Sequence, residues 1–281
     1  MNYSAVAAQP RPIEITKRPR WAQIEGTPLP LGVTWIEREQ AFNFAVHSEH
    51  AESVSLLFYS STDLVNPLIT FRFDFLRNKS GRIWHCRMPI SEIAEARYYA
   101  YSVSGPTGSP LFTFDPQKVL LDPYAKCIFF PPAFDREAAS REGSNAGKAP
   151  LGVLAAHRPT FDWAGDHLPH HESDAIIYEL HVRGFTRHPN SGVDRRRAGT
   201  YAGLVDKIPY LKDLGVTVVE LMPVFQRDPQ ECDYWGYMPL NFFAPHAQYA
   251  SSCDDDEQHL EFRNMLKAMH QAGIGVILDV V

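Results

Sequence analysis

Three apolar runs decide how this chain is read: AIIYELHVRGF from Ala175 to Phe185, GVTVVELMPVF from Gly215 to Phe225, and GIGVILDVV from Gly273 to Val281. Each has the length and the Val, Ile and Leu content of a strand. Helical spacing fills the intervals. Tyr201, Leu204, Val205, Ile208 and Leu211 recur at steps of three and four. Pro209 has no amide hydrogen to continue a helix, so it divides this pattern into two short helices, and Gly215 closes the second at the C-cap. Before the third run, Asp254, Asp255, Asp256 and Glu257 put negative charge at a helix start. Phe262, Met265, Leu266 and Met269 then form one apolar face that ends at Gly273. Strand and helix alternate throughout, which predicts a parallel α/β domain over residues 172–281.

Upstream the period changes from helical to two. Phe42, Phe44 and Val46 alternate with polar neighbours, as do Val54, Leu56 and Phe58, and then Phe71, Phe73 and Phe75. Ile83 to Met88 and Tyr98 to Val103 add two more such runs. Closely spaced alternating strands without a long helix predict an all-β, immunoglobulin-like sandwich over residues 26–130. Trp35, Trp84 and Tyr99 are its candidates for stacking on sugar, although most such rings in a sandwich simply fill the core. Residues 1–25 read as a flexible lead-in and residues 131–171 as a connecting segment.

Composition narrows the function. A chain of 281 residues that is 44% hydrophobic and 21% charged is long enough for two cores. Its formal net charge of -6 offers nucleic acid no electrostatic footing. Cys86, Cys127, Cys232 and Cys253 are far apart and form no C-x-x-C pair, so neither a metal site nor a disulfide framework is expected. A reducing, cytoplasmic location is the simpler expectation. No secretory leader and no membrane span are predicted. Phosphate-binding glycine motifs are missing, which disfavours nucleotide enzymes, and no cofactor is expected.

On the first apolar run Glu179, His181 and Arg183 share one parity, so that strand has a polar face. Two readings stay open: a polar row at the catalytic mouth of a barrel, or a buried ion network that orders the core. Glu220 and Asp279 pose the same choice. The loop from Asp228 to Tyr249 holds Tyr234, Trp235, Tyr237, Phe242, Phe243 and Tyr249. Flat rings beside hydroxyl groups suit a pyranose, which has apolar faces and a polar rim.

These residues carry a resemblance. YELHVRGFT from Tyr178, GTYAGL from Gly199 and LKDLGVT from Leu211 resemble the start of the catalytic barrel in glycoside hydrolase family 13. YWGY from Tyr234, followed by NFFAP from Asn241, is similar to the debranching members, glycogen debranching enzymes and isoamylases, more than to branching enzymes or trehalohydrolases. PLGVTW from Pro30, YAY from Tyr99 and LLDPYAK from Leu120 resemble the carbohydrate-binding module family 48 domain and its connection to that barrel.

The resemblance implies a β-sandwich followed by the first three β/α units of a TIM (β/α)8 barrel, in a retaining hydrolase of α-1,6 branch points in glycogen or another α-glucan. It implies that Tyr237, with Trp235, Tyr234 and Asp233, meets substrate. Asp279, which opens the family's first signature, then supports the site together with Glu179 and His181. The family's nucleophilic Asp, acid/base Glu and stabilising Asp match no position up to Val281, so these 281 residues are expected to be inactive alone. A non-catalytic glucan-binding protein is the alternative.

Overall fold

The computed structural model describes residues 25–108, 112–154, 161–231, 233–252 and 257–280. They form two compact units, one of residues 25–125 and 129–154, the other of 126–128 and 161–280. Cys232, Cys253 and the aspartates at 254–256 lie outside the described residues, as does the lead-in up to residue 24.

The first unit is built from antiparallel strands. One sheet has the order β1 (Gly32–Ile36), β2 (Ala41–His47), β6 (Ile83–Pro89), β5 (Lys79–Ser80). The other runs β4 (Ile69–Arg72), β3 (Ser53–Tyr59), β7 (Tyr98–Ser104), β9 (Leu151–Val153), with β8 (Ile128–Phe129) last. The expected alternation holds: Phe42, Phe44, Val54, Leu56, Phe58, Trp84 and Tyr99 meet in one buried cluster. Phe71 packs against this core, but the strand ends at Arg72. Phe75 therefore lies outside the pattern, exposed, with its ring against Trp84.

For the aromatic candidates the core-filling reading holds, and one segment boundary shifts. Trp84 and Tyr99 are both 0% exposed, so neither offers a face to sugar. Trp35 packs beside the same core, its ring edge-on to Phe42 at 5.0 Å. The presumed connection, 131–171, begins inside the β unit. Residues 129–154 fold with it because Gly152 and Val153 pair with Tyr99 and Tyr98, and α1 (Glu137–Ser140) is a single turn within this stretch. A Cβ on Gly152 would stand 2.4 Å from the Tyr99 ring. Only glycine lets this short strand lie over the tyrosine.

The second unit contains a parallel sheet of β10 (Ile177–Leu180), β11 (Val218–Leu221) and β14 (Gly275–Leu278), with β11 central. Helices α3 (Tyr201–Asp206) and α4 (Ile208–Asp213) connect β10 to β11 and break at Lys207 before Pro209, as expected. Thr200 caps α3 by accepting the Gly203 amide at 3.2 Å. Gly215, at φ 83, ends α4, and the Gly215 and Val216 amides donate to Lys212 and Leu211 carbonyls. Helix α5 (Gln258–Gln271) buries Met265 and Met269 against Leu204, Leu211, Val219 and Leu221. No described helix is long and apolar enough to cross a membrane.

The first apolar run is not one strand. It ends at Leu180, and α2 (Val182–Arg187) begins at once, with the His181 side chain as its N-cap. Arg183 is therefore a helical residue, and the polar row of Glu179, His181 and Arg183 does not exist as a strand face.

Candidate functional site

The C-terminal ends of the three parallel strands collect the chemistry of the second unit. Register places Glu179 of β10 beside Glu220 of β11, and Glu220 beside Ile277 of β14. Asp279 follows β14 directly, and its amide donates to the Leu221 carbonyl at 2.9 Å. Three carboxylates from three strands thus stand at one end of one sheet.

Tyr237 reaches them from the loop after β11, its hydroxyl donating to Asp279 Oδ2. That hydrogen bond, then burial, then the negative charges of Asp279, Glu179 and Glu220 push the phenol up to about 12. At neutral pH the ring stays uncharged and its hydroxyl stays a donor. Trp235, 59% exposed, lies 6.3 Å from Tyr237 between ring centroids. The two rings present an open aromatic surface beside acids.

A buried polar hub fixes the turn that carries these rings. His181 Nδ1 accepts the Gly184 amide at 3.0 Å, so its other nitrogen carries the proton and donates to the Tyr234 carbonyl at 2.8 Å. Arg227, on β12 (Phe225–Arg227), donates Nη1 to the same carbonyl at 2.8 Å. The Tyr234 ring stacks on His181 at 4.2 Å and 11°. A Cβ on Gly184 would stand 2.5 Å from the Tyr234 hydroxyl, so glycine makes room for that stack. Gly236, at φ 89, turns the chain between Trp235 and Tyr237.

Of the sequence candidates, the structure brings together Tyr237, Asp279, Glu179 and Glu220 at one end and Trp235 beside them. His181 and Tyr234 hold the loop from behind. Asp233 accepts the Trp235 amide through Oδ1 at 3.0 Å, a turn-forming bond. Sequence reasoning did not single out Arg227 or His246. His246 is 1% exposed, packs against Tyr249 at 4.6 Å, and has no hydrogen-bond partner for either ring nitrogen among the described residues. Burial, then the positive charges of Arg227, His181 and Arg183, push it down to about 3. Its position directly after NFFAP was the one available signal.

Beside the loop, β13 (Pro239–Pro245) exposes Phe242 and Phe243. They line an apolar cavity of about 300 Å³ with Trp163, Phe225 and Phe262. Among the described residues no group of His, Cys, Asp or Glu side chains is placed to hold a metal ion.

Comparison with known proteins places both units. Residues 30–125 match the carbohydrate-binding module 48, the isoamylase N-terminal domain, and residues 178–281 match the alpha amylase catalytic domain. Isoamylase 3, chloroplastic, of Oryza sativa subsp. japonica is 39% identical over 279 residues, which cover 91% of this chain and 34% of that protein. A glycogen operon protein GlgX homolog of Mycobacterium tuberculosis is 36% identical over 282 residues, covering 91% of this chain and 37% of that one. The catalytic module of the glycogen-degrading pneumococcal virulence factor SpuA shares the fold with a TM-score of 0.69 at 24% identity, over 92% of this chain and 38% of that one. The chain spans little more than a third of the length of these relatives.

Proposed function

We infer, for a chain in which a carbohydrate-binding module 48 precedes alpha amylase catalytic sequence as in the debranching members of glycoside hydrolase family 13, that it is the N-terminal part of an α-glucan debranching hydrolase. Strands β10, β11 and β14 are then the first three of a (β/α)8 barrel, whose chemistry gathers at the C-terminal ends of its strands. The observation that carries this reading is the Tyr237 hydroxyl on Asp279, above Glu179 and Glu220 at that end of the sheet.

In this reading the neutral Tyr237 ring lies along the apolar face of a glucose unit, with Trp235 extending the surface. Asp279 fixes the angle of the tyrosine and offers its remaining lone pairs to sugar hydroxyls. Arg227 and His181 hold the turn, so little loop entropy is lost when sugar binds. Hydrolysis with retention needs a carboxylate nucleophile and a carboxylic acid across the scissile bond. Glu179 and Glu220 are adjacent on neighbouring strands and do not face each other across a substrate, so neither takes those parts. The 281 residues alone therefore bind glucan without cleaving it. A cytoplasmic location belongs to the same proposal, although the rice relative is chloroplastic by name.

Affinity electrophoresis in gels containing glycogen tests the reading. The chain should be retarded, most of the affinity should survive in residues 25–154, and Tyr237→Ala should remove the remainder. A chain that migrates identically with and without glycogen defeats the proposal.

A further inference from the structure

The segment between the end of β10 and the start of α3 carries an unusual charge. From Arg183 to Arg197 it holds five arginines, with His188, against the single acid Asp194, in a chain whose net charge is -6. Arg183 and Arg187 stand four residues apart on α2, which places like charges side by side at a cost to the helix. Gly199 brings them closer to one another: a Cβ there would lie 3.3 Å from Arg183 Cγ and 3.4 Å from Arg187 Cδ, so both stems run along the same glycine. Among the described residues, Arg197 is paired with Asp206 at 3.0 Å, whereas no carboxylate lies within ion-pair distance of Arg183, Arg187, Arg195 or Arg196.

Arg187, His188 and Arg195 line a groove of about 770 Å³, and Asp194 is the one acid on its wall. Asp194 already has a structural task, accepting the Arg196 amide at 2.9 Å. The groove is built firmly: Ser191 donates its hydroxyl to the Thr186 carbonyl at 2.8 Å, and Lys207 Nζ donates to the Ser191 carbonyl at 3.1 Å. It lies in the connection that leaves the C-terminal end of β10, the end that carries Glu179 and His181.

We propose that this groove binds a phosphate monoester carried on the glucan. The inference rests on the glucan reading above and extends it to a substrate class. Planar guanidinium forks match phosphate oxygens two at a time, and Arg187 and Arg195 place two such forks on the wall of this groove. A glucan itself is neutral, so a basic groove in the connection that leaves β10 has work on a glucan only when the polymer is charged. Phosphate esters supply that charge without blocking the apolar sugar faces that Tyr237 and Trp235 meet.

The test uses the 281-residue chain and four probes: a phosphorylated branched glucan, the same glucan after phosphatase treatment, inorganic phosphate, and a DNA duplex. Phosphorylation should tighten binding roughly tenfold at low salt. That gain should vanish in the Arg187→Gln, Arg195→Gln double variant, while binding of the treated glucan stays the same. Inorganic phosphate at millimolar concentration should compete only with the gain. Equal binding of the two glucans overturns the proposal and leaves the glucan reading intact, whereas failure to bind either glucan removes both. Tighter binding of the duplex than of the phosphorylated glucan, or a double variant that keeps the gain, also overturns it.

Discussion

Acid should open the α/β unit through His246. Its imidazole is buried, unpartnered among the described residues, and held down to about 3 by burial and by Arg227, His181 and Arg183. In the unfolded chain the same group titrates near its ordinary value of 6.5. The unfolded state therefore takes up the proton first, so stability is complete above about pH 6.5 and drains away as pH falls toward 3. By about pH 4.5, two pH units below the unfolded value, the loss is roughly 3 kcal/mol at 1.36 kcal/mol per unit. A domain whose total stability is about 5–15 kcal/mol feels this strongly. His181 is also held below its ordinary value, chiefly by burial, and adds in the same direction. Peptide-resolved hydrogen exchange over residues 239–250 at pH 7 and 4.5, corrected for intrinsic exchange rates, reads the effect. His246→Leu keeps an apolar side chain in the same space and removes the titrating group, so its exchange should depend much less on pH. A His246→Leu chain that loses the same stability between the two pH values would refute the reasoning.

The β unit should respond to pH in the opposite sense. Burial pushes Asp122 up to about 6 despite hydrogen bonds from the Tyr124 amide and the Tyr99 hydroxyl, so acidification from pH 7 to 5 should raise the melting temperature of that unit in calorimetry, and a fall would contradict the assignment. Proteolysis should also separate the units. Among the described residues, β10 and β14 each have one paired edge and one unpaired edge, so trypsin should cut within residues 161–280 while residues 25–154 persist, as read by mass spectrometry.

Periodicity made most of the fold legible. A period of two from Phe42 to Val103 marked the sandwich, and the helical spacing from Tyr201 to Leu211 marked the segments that cross between strands. The failures have physical causes. Parity along Tyr178 to Arg183 reads as a strand because a helix can begin at any residue able to cap it, and a histidine cap leaves no mark in a pattern of apolar residues. Strand β9 is only three residues long, too short to show alternation, and its partner lies some fifty residues away. Trp84 and Tyr99 had the right chemistry for sugar, but which face of a strand is covered depends on the opposite sheet. The site divided along the same line. Tyr237 and Asp279 were visible through the resemblance. Arg227 and His246 act by packing behind the loop, and their sequence surroundings give no period to find them by.

Joining residues 1–281 to the C-terminal two thirds of the rice isoamylase relative tests the central claim most directly, with release of linear chains from glycogen as the readout. The 281-residue chain should release nothing and the chimera should release linear chains, with a loss of at least about a hundredfold when Tyr237→Ala or Asp279→Asn is introduced. Release by the 281 residues alone, or a folded chimera whose activity is indifferent to Tyr237 and Asp279, would contradict it.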